Sequence, residues 1–136
     1  MPSQNYAAIL PELVTLLEGI TAAPDVFDSP KHSDQITKMP AVDISWGGSM
    51  ANYDVSQEYR FIDEVILRIY AANAASAFAI QEQIADAFTS SFTLNQTCIG
   101  AWLESKDPPR VFAGNPQSGK VIADITVRIQ FRREYT

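Results

Sequence analysis

Val121-Ile122-Ala123-Asp124-Ile125-Thr126-Val127-Arg128-Ile129-Gln130-Phe131-Arg132 is the stretch that decides the fold. Its odd positions are all apolar and its even positions mostly polar. Successive side chains of a strand point to opposite faces, so this alternation, rich in Val and Ile, predicts a half-buried antiparallel strand. Val121, Ala123, Ile125, Val127, Ile129 and Phe131 form the inward set. Lys120, Ile122, Asp124, Thr126, Arg128, Gln130 and Arg132 form the outward set. A second long strand is predicted from Tyr59 to Ala71, with Phe61, Val65, Leu67 and Ile69 inward. Arg60, Glu64, Arg68 and Tyr70 fall outward, but so do Ile62 and Ile66. A wholly solvated face would not need those two, so part of it is expected to be covered.

Working outward, Ala41 to Trp46 alternates as a strand, with Val42, Ile44 and Trp46 on one side. The pair Gly47-Gly48 is expected to close it as a turn, and the polar stretch Ser49 to Gln57 to be a hairpin loop. Thr97 to Ser105 reads as another strand with Ile99, Ala101 and Leu103 inward, ended by Asp107-Pro108-Pro109. Arg110 to Phe112 is placed to pair with the last strand across the turn Gly114 to Gly119.

Two segments carry helical spacing. In the first, Tyr6, Ile9, Leu10, Leu13, Leu16, Leu17 and Ile20 share one face. Pro11 obstructs it, so either the helix kinks there or regular helix starts near Leu10. Gly19 and Pro24 mark its end. In the second, Ala77, Ile80, Ile84, Ala87 and Phe88 form the buried stripe, with Gln81, Glu82, Gln83 and Asp86 outside and Asn73 or Ser76 as cap. Between the first helix and the first long strand, Pro24 to Pro40 is loop by composition, with an extended piece expected around Gln35 to Met39. Helices interspersed with hairpin-linked strands predict an α+β domain: a mostly antiparallel sheet with two helices packed on one face. The 136 residues are the size of one domain, spanning 1–136.

Composition narrows the function. Hydrophobic residues at 46% against 19% charged provide for a packed core without disulfides, and the single Cys98 forms no internal one. A net charge of -6 argues against bulk binding to nucleic acid, whose phosphates demand Lys and Arg. No secretory leader is expected, and no apolar run approaches the roughly 20 residues that cross a bilayer.

Candidate chemistry is sparse. Gly114-Asn115-Pro116-Gln117-Ser118-Gly119-Lys120 matches the G-x-x-x-x-G-K phosphate loop, but Val121 stands where Ser or Thr would hold magnesium. That loop must open a helix, whose amides cradle the phosphates, and here a strand follows. A hairpin turn touching a neighbouring subunit is the better reading. His32 is the only histidine and sits in the Pro-rich loop; with one cysteine elsewhere it makes a poor metal site. Asp63 and Glu64 are adjacent on a strand, so they point to opposite faces and form no catalytic pair. Cys98 is expected to be a buried structural thiol. No catalytic residue, cofactor or metal is therefore expected, and no enzyme activity. Tyr53, in a stretch read as loop, suits a protein contact. Arg128, Arg132 and Arg133 place positive charge where acidic residues of a neighbouring copy can pair with it.

The layout resembles a known family. Ile9-Leu10-Pro11-Glu12-Leu13 lies in a short first helix, and a long loop leads to the hairpin strand Glu58-Tyr59-Arg60-Phe61-Ile62-Asp63-Glu64-Val65-Ile66-Leu67-Arg68-Ile69-Tyr70. An alanine-rich helix, Ala74 to Phe88, follows, and the chain closes on Ile125-Thr126-Val127-Arg128-Ile129-Gln130-Phe131-Arg132. Element order and length over nearly the whole chain resemble the tail-terminator and tail-completion proteins of long-tailed phages, of the minor tail protein U type, and related tail-to-head joining proteins. The resemblance implies a homohexameric ring on the end of the tail tube. Its partners would be copies of itself, the tail tube protein and the head–neck connector or stopper. DNA would pass through the lumen without specific binding, and no membrane is involved. The location would be the tail–neck junction of a virion assembled in the host cytoplasm. A ring needs two different patches per subunit meeting head to tail. The expected interface residues are Trp46, Gly47, Gly48, Tyr53, Asp54, Asn115, Pro116, Gln117, Arg128 and Arg132. A neck, head-closure or tube subunit, a generic α+β binding module and a small nucleotide-binding protein are the competing readings.

Overall fold

A computed structural model describes residues 4–31, 35–54, 58–111 and 121–134. Two helices and six strands follow one another as α1 (Tyr6–Glu18), β1 (Asp25–Phe27), β2 (Ala41–Asp54), β3 (Glu58–Ala71), α2 (Ala74–Ser90), β4 (Gly100–Lys106), β5 (Arg110–Val111) and β6 (Val121–Glu134). The strands form one sheet in the order β1-β2-β3-β6-β4, with β5 also paired to β6. Only β1 and β2 run parallel; every other pair is antiparallel. The fold is α+β, as the alternation of β3 and β6 requires.

The inward sets of β2, β3 and β6 meet the apolar stripes of both helices in one core. Val42, Ile44, Val65, Leu67, Ile69, Ala123, Ile125, Val127 and Ile129 are buried there against Ile9, Leu13 and Leu17 of α1 and Ala77, Ile80, Ile84 and Phe88 of α2. Both helices are capped by asparagine. Asn5 Oδ1 accepts from Ala8 N at 3.0 Å and Asn73 Oδ1 from Ser76 N at 2.8 Å, each satisfying an amide that the first turn leaves without a partner. Pro11 lies inside α1 and neither stops it nor delays its start. The lost hydrogen bond is outweighed by the anchoring of Ile9, Leu13 and Leu17. Gln81, expected on the outside of α2, is buried instead: its Nε2 donates to the carbonyls of Asp107 at 2.6 Å and Asp124 at 3.3 Å.

The first long strand does not end at Gly47-Gly48. β2 continues to Asp54, and its register against β3 shifts between Trp46, opposite Val65, and Ser49, opposite Asp63. Gly47 and Gly48 thus share one partner, Glu64, in a β-bulge. The bulge takes the place of the expected turn, because an extra residue lets the strand keep its partner while changing which face its side chains use. Ser49 to Asp54, expected as loop, is strand. The segment 91–99 loops before β4, with Leu94, Asn95 and Gln96 all at positive φ. Thr97 N and Cys98 N donate back to the carbonyls of Leu94 and Thr93, each at 3.3 Å, so these residues close the turn and β4 starts at Gly100 and not at Thr97.

The 28–40 connection explains the apolar residues on the outward face. A parallel neighbour cannot be reached by a tight turn, so the chain leaving β1 must cross a face of the sheet before entering β2. It crosses the face opposite the helices. There Ile36, with Phe27 and Met39, packs on Ala41, Tyr70 and Ile122 in a second, smaller core. The extended piece in this region is Asp25–Phe27, upstream of the Gln35 to Met39 position expected from sequence. The cover lies over Tyr70 and Ile122; Ile62 and Ile66 are half-buried.

Candidate assembly surfaces

The face opposite the helices carries a ladder of charge. Asp43 on β2, Arg68 on β3 and Asp124 on β6 are direct cross-strand neighbours. Arg68 donates from Nε to Asp124 Oδ1 at 3.0 Å and from Nη2 to Oδ2 at 3.3 Å, and Arg110 of β5 donates to Oδ2 at 3.1 Å. Burial alone would raise the Asp124 carboxyl, but the two guanidiniums hold it below the ordinary carboxylate value. Asp43 has the opposite balance. It accepts from Lys31 N at 3.1 Å and from the Tyr70 hydroxyl at 3.0 Å, yet burial dominates and raises it. Tyr70 is itself pushed up to about 12, first by burial and then by the Asp43 charge. Its hydroxyl also donates to the Lys31 carbonyl at 3.3 Å, so Tyr70 and Asp43 together fasten the 28–40 crossing to the sheet.

Arg128, expected at an interface, is engaged within the subunit. It donates to Glu104 at 2.7 and 3.2 Å and lies 3.4 Å from Glu64. Arg132 is half-buried, and its backbone exchanges hydrogen bonds with Gln4, N–H to Oε1 at 3.1 Å and carbonyl to Gln4 N at 2.8 Å. Trp46 is half-buried and meets Tyr6 edge to face at 4.7 Å; Tyr6 touches Phe131 at 5.2 Å, which stacks on Phe61 at 5.3 Å. Gly47 and Gly48 are exposed beside this cluster. The backbones of Tyr53 and Asp54 end β2, opposite Tyr59 and Glu58; their side chains lie outside the described set. Asn115, Pro116 and Gln117, with the rest of the glycine-rich segment, and His32 also fall outside the described residues. The structure thus brings Trp46, Gly47 and Gly48 to one border of the sheet and places Arg128 on its helix-free face.

Among the described residues both borders of the sheet are open. β1 covers only Ala41 to Asp43, so from Ile44 onward the outer edge of β2 has no strand partner among the described residues. On the far side β4 is the edge, touched at one point where Ala101 N donates to Phe92 O at 2.7 Å. Phe92 is 51% exposed. Beside it lies an apolar groove of about 280 Å³ lined by Ala85, Phe88, Phe92, Trp102 and Leu103 among others. A larger groove of about 460 Å³ between the helices holds one ionisable group, Asp86.

Nothing in these surfaces assembles a reactive set. Among the described residues no three His, Cys, Asp or Glu side chains stand close enough to hold a metal ion. Cys98 is buried, its thiol donates to the Thr93 carbonyl at 3.4 Å, and burial pushes it up to about 11, far from a thiolate nucleophile. The strand that starts at Val121 removes the helix a phosphate loop requires. Two features escaped the sequence reading. Asp63 shares the inward register of Phe61 and Val65, so alternation alone marks it as buried. Asp43 is buried by a crossing segment that no local pattern announces.

No protein-family model matches the sequence, and no curated protein sequence matches it. Solved structures do. The chain is similar to one in the virion of a native gene transfer agent particle, with a TM-score of 0.57 over 96% of both chains at 16% identity. It is also similar to a chain in the structure of an extracellular contractile injection system, the PVC sheath/tube terminator in its extended state. There the TM-score is 0.54 at 12% identity, covering 96% of this chain but 58% of that one. At such identities the common property is the backbone: this chain shares its α+β fold with a chain of a gene transfer agent virion and with one from a contractile injection system.

Proposed function

We propose that the protein is a structural subunit of a phage-like tail, a terminator that forms a ring on the end of the tail tube and offers the opposite surface to the head or neck. The observation that supports this reading is the fold similarity, since 96% of this chain aligns with a chain of a gene transfer agent virion and with 58% of a chain from the structure of a contractile injection system's sheath/tube terminator. Two open sheet borders on one subunit supply the unlike patches that head-to-tail closure demands. The β2 border with Trp46, Gly47, Gly48, Tyr53 and Asp54 is one proposed patch, and the Asn115 to Gln117 segment belongs to another. The expected stoichiometry is a homohexamer. Its acidic balance suits a lumen through which DNA slides without sticking.

The test is polymerisation of the particle's tube protein with and without this chain, followed by length measurement on electron micrographs. A terminator leaves tubes of bounded length with a ring at one end. Tubes that grow on undecorated and unbounded overturn the reading. The second reading, a tube or neck subunit, is kept because the gene transfer agent likeness is to a virion component in general. It predicts a different result in the same experiment: the chain alone polymerises without limit, or caps the neck and not the tube.

A further inference from the structure

Among the described residues Asp63 is the buried carboxylate that has no hydrogen-bond partner on either oxygen. It is 2% exposed, on the helix side of β3 between Phe61 and Val65, with Ile129 across on β6. Its neighbours in the chain, Ile62 and Glu64, point to the other face, as does Arg60. Asp43 and Asp124, the other buried acids, each have donors in hand. A carboxylate withdrawn from water without a donor is among the least favourable arrangements a core can hold. Among the described residues no group donates to it, so a donor from another molecule would relieve it.

Among the described residues, the open border next to Asp63 is that of β2. On β2, the bulge of Gly47 and Gly48 sits directly before Ser49, the residue opposite Asp63. Both glycines are exposed and bring no side chains to the border; a Cβ built on Gly48 would meet nothing within 4 Å, whereas one on Gly47 would meet Glu64. The strand edge around them has no partner among the described residues. The opposite border carries cations: Lys106 at the end of β4, its side chain 36% exposed, and Arg110 on β5, 49% exposed. The Lys106–Glu82 pair is largely solvated and contributes little, so Lys106 exchanges readily for a buried acceptor; Arg110 shares Asp124 with Arg68, which keeps that carboxylate paired if Arg110 leaves. One border of the chain thus lacks a cation and the other presents two.

We propose that Asp63 is an assembly carboxylate: it receives Lys106 or Arg110 of a second copy of this chain, entering past Gly48 on the β2 border. The contact is head to tail, joining unlike patches, which is the kind that closes rings. It rests on the ring reading above and names the residues that would close the ring.

The test measures self-association by sedimentation over a range of concentrations, and the urea midpoint of the dilute subunit, for the wild type, Asp63→Asn and Gly48→Leu. Removing the buried charge is expected to raise the midpoint of the dilute subunit while weakening association by about 30-fold or more, the scale on which one side of a buried ion pair is felt. Gly48→Leu, which meets open space, should leave the midpoint alone and block association to a similar degree. A lower midpoint for Asp63→Asn would mean that the subunit already satisfies this carboxylate, and the proposal falls. It falls equally if either variant associates like the wild type, or if the wild type stays monomeric throughout. The same variants in the tube-length experiment separate the two ideas. Variants that cap as well as the wild type remove the Asp63 contact and leave the terminator intact, whereas a wild type that fails to cap removes the terminator.

Discussion

Asp43 and Asp124 are the same chemical group two strands apart, and their surroundings push them in opposite directions. Asp124 is held below its ordinary value, so it binds its last proton more weakly in the native state than in the unfolded one. Its contribution to stability is therefore complete above the unfolded carboxylate range and is lost as pH falls through its depressed native value. Asp43 is raised, so the native state keeps its proton to higher pH than the unfolded chain does. Stability falls as pH rises from the ordinary carboxylate value through the raised one. Asp124→Asn should cost about 1–2 kcal/mol at neutral pH, a figure reduced from that for a fully buried charged bond because Arg68 and Arg110 are part-solvated. It should also flatten the loss of stability on the acid side. Asp43→Asn keeps an acceptor for Lys31 N and Tyr70 and should be neutral or stabilising at pH 7. Urea midpoints between about pH 3 and pH 7 check both, and the same sign for the two variants would contradict the assignment.

Among the elements, the regular parts were legible and the covered parts were not. β3 and β6 could be read residue by residue because a period of two leaves no other solution once Val65, Leu67, Ile125 and Val127 must be inward. The stripes of α1 and α2 were equally plain. Three features had no local signature. Pro11 inside α1 and the Gly47–Gly48 bulge both break a propensity rule that long-range packing overrides. The placement of 28–40 over Tyr70 and Ile122 depends on β1 pairing parallel with β2, a choice made by contacts far apart in sequence. Of the expected interface, Trp46 and the two glycines lie at a border, but Arg128, expected to pair with acidic residues of a neighbouring copy, is engaged within its own subunit by Glu104 on the bulge of β4. The crossing segment also carries its own prediction. Tyr70→Phe keeps the ring in the small core and deletes the hydroxyl that bonds Asp43 and the Lys31 carbonyl. The loss should be about 1 kcal/mol, and hydrogen exchange at the Lys31 amide should quicken while amides at the centre of β6 keep their protection. Equal acceleration in both places would mean that the segment and the sheet open as one unit.

At the scale of the whole molecule, one layer of helices covers one face of the sheet, a crossing segment covers a corner of the other, and both lateral borders stay bare. Natural monomers usually blunt such edges with short strands, inward charges or bulges. β1 is three residues long, and β2 carries a bulge beside an inward charge, so both devices are present. On the ring reading they take on a second use, keeping free subunits from pairing in the wrong register until the correct neighbour arrives. Edges that are guarded yet not sealed fit a subunit that must stay soluble before assembly and commit afterwards.

Cys98 draws a practical consequence from these arrangements. The chain has one cysteine, it is enclosed by the core, and burial pushes its pKa up to about 11, so it stays a thiol at pH 7. An alkylating reagent therefore reacts at an appreciable rate only with molecules that have opened. The labelling rate becomes a clock for opening, with a single hand and no engineered probe. Run on free subunits and on subunits within a particle, it should tick far more slowly in the particle, and the ratio of the two rates measures how much the assembly steadies each copy.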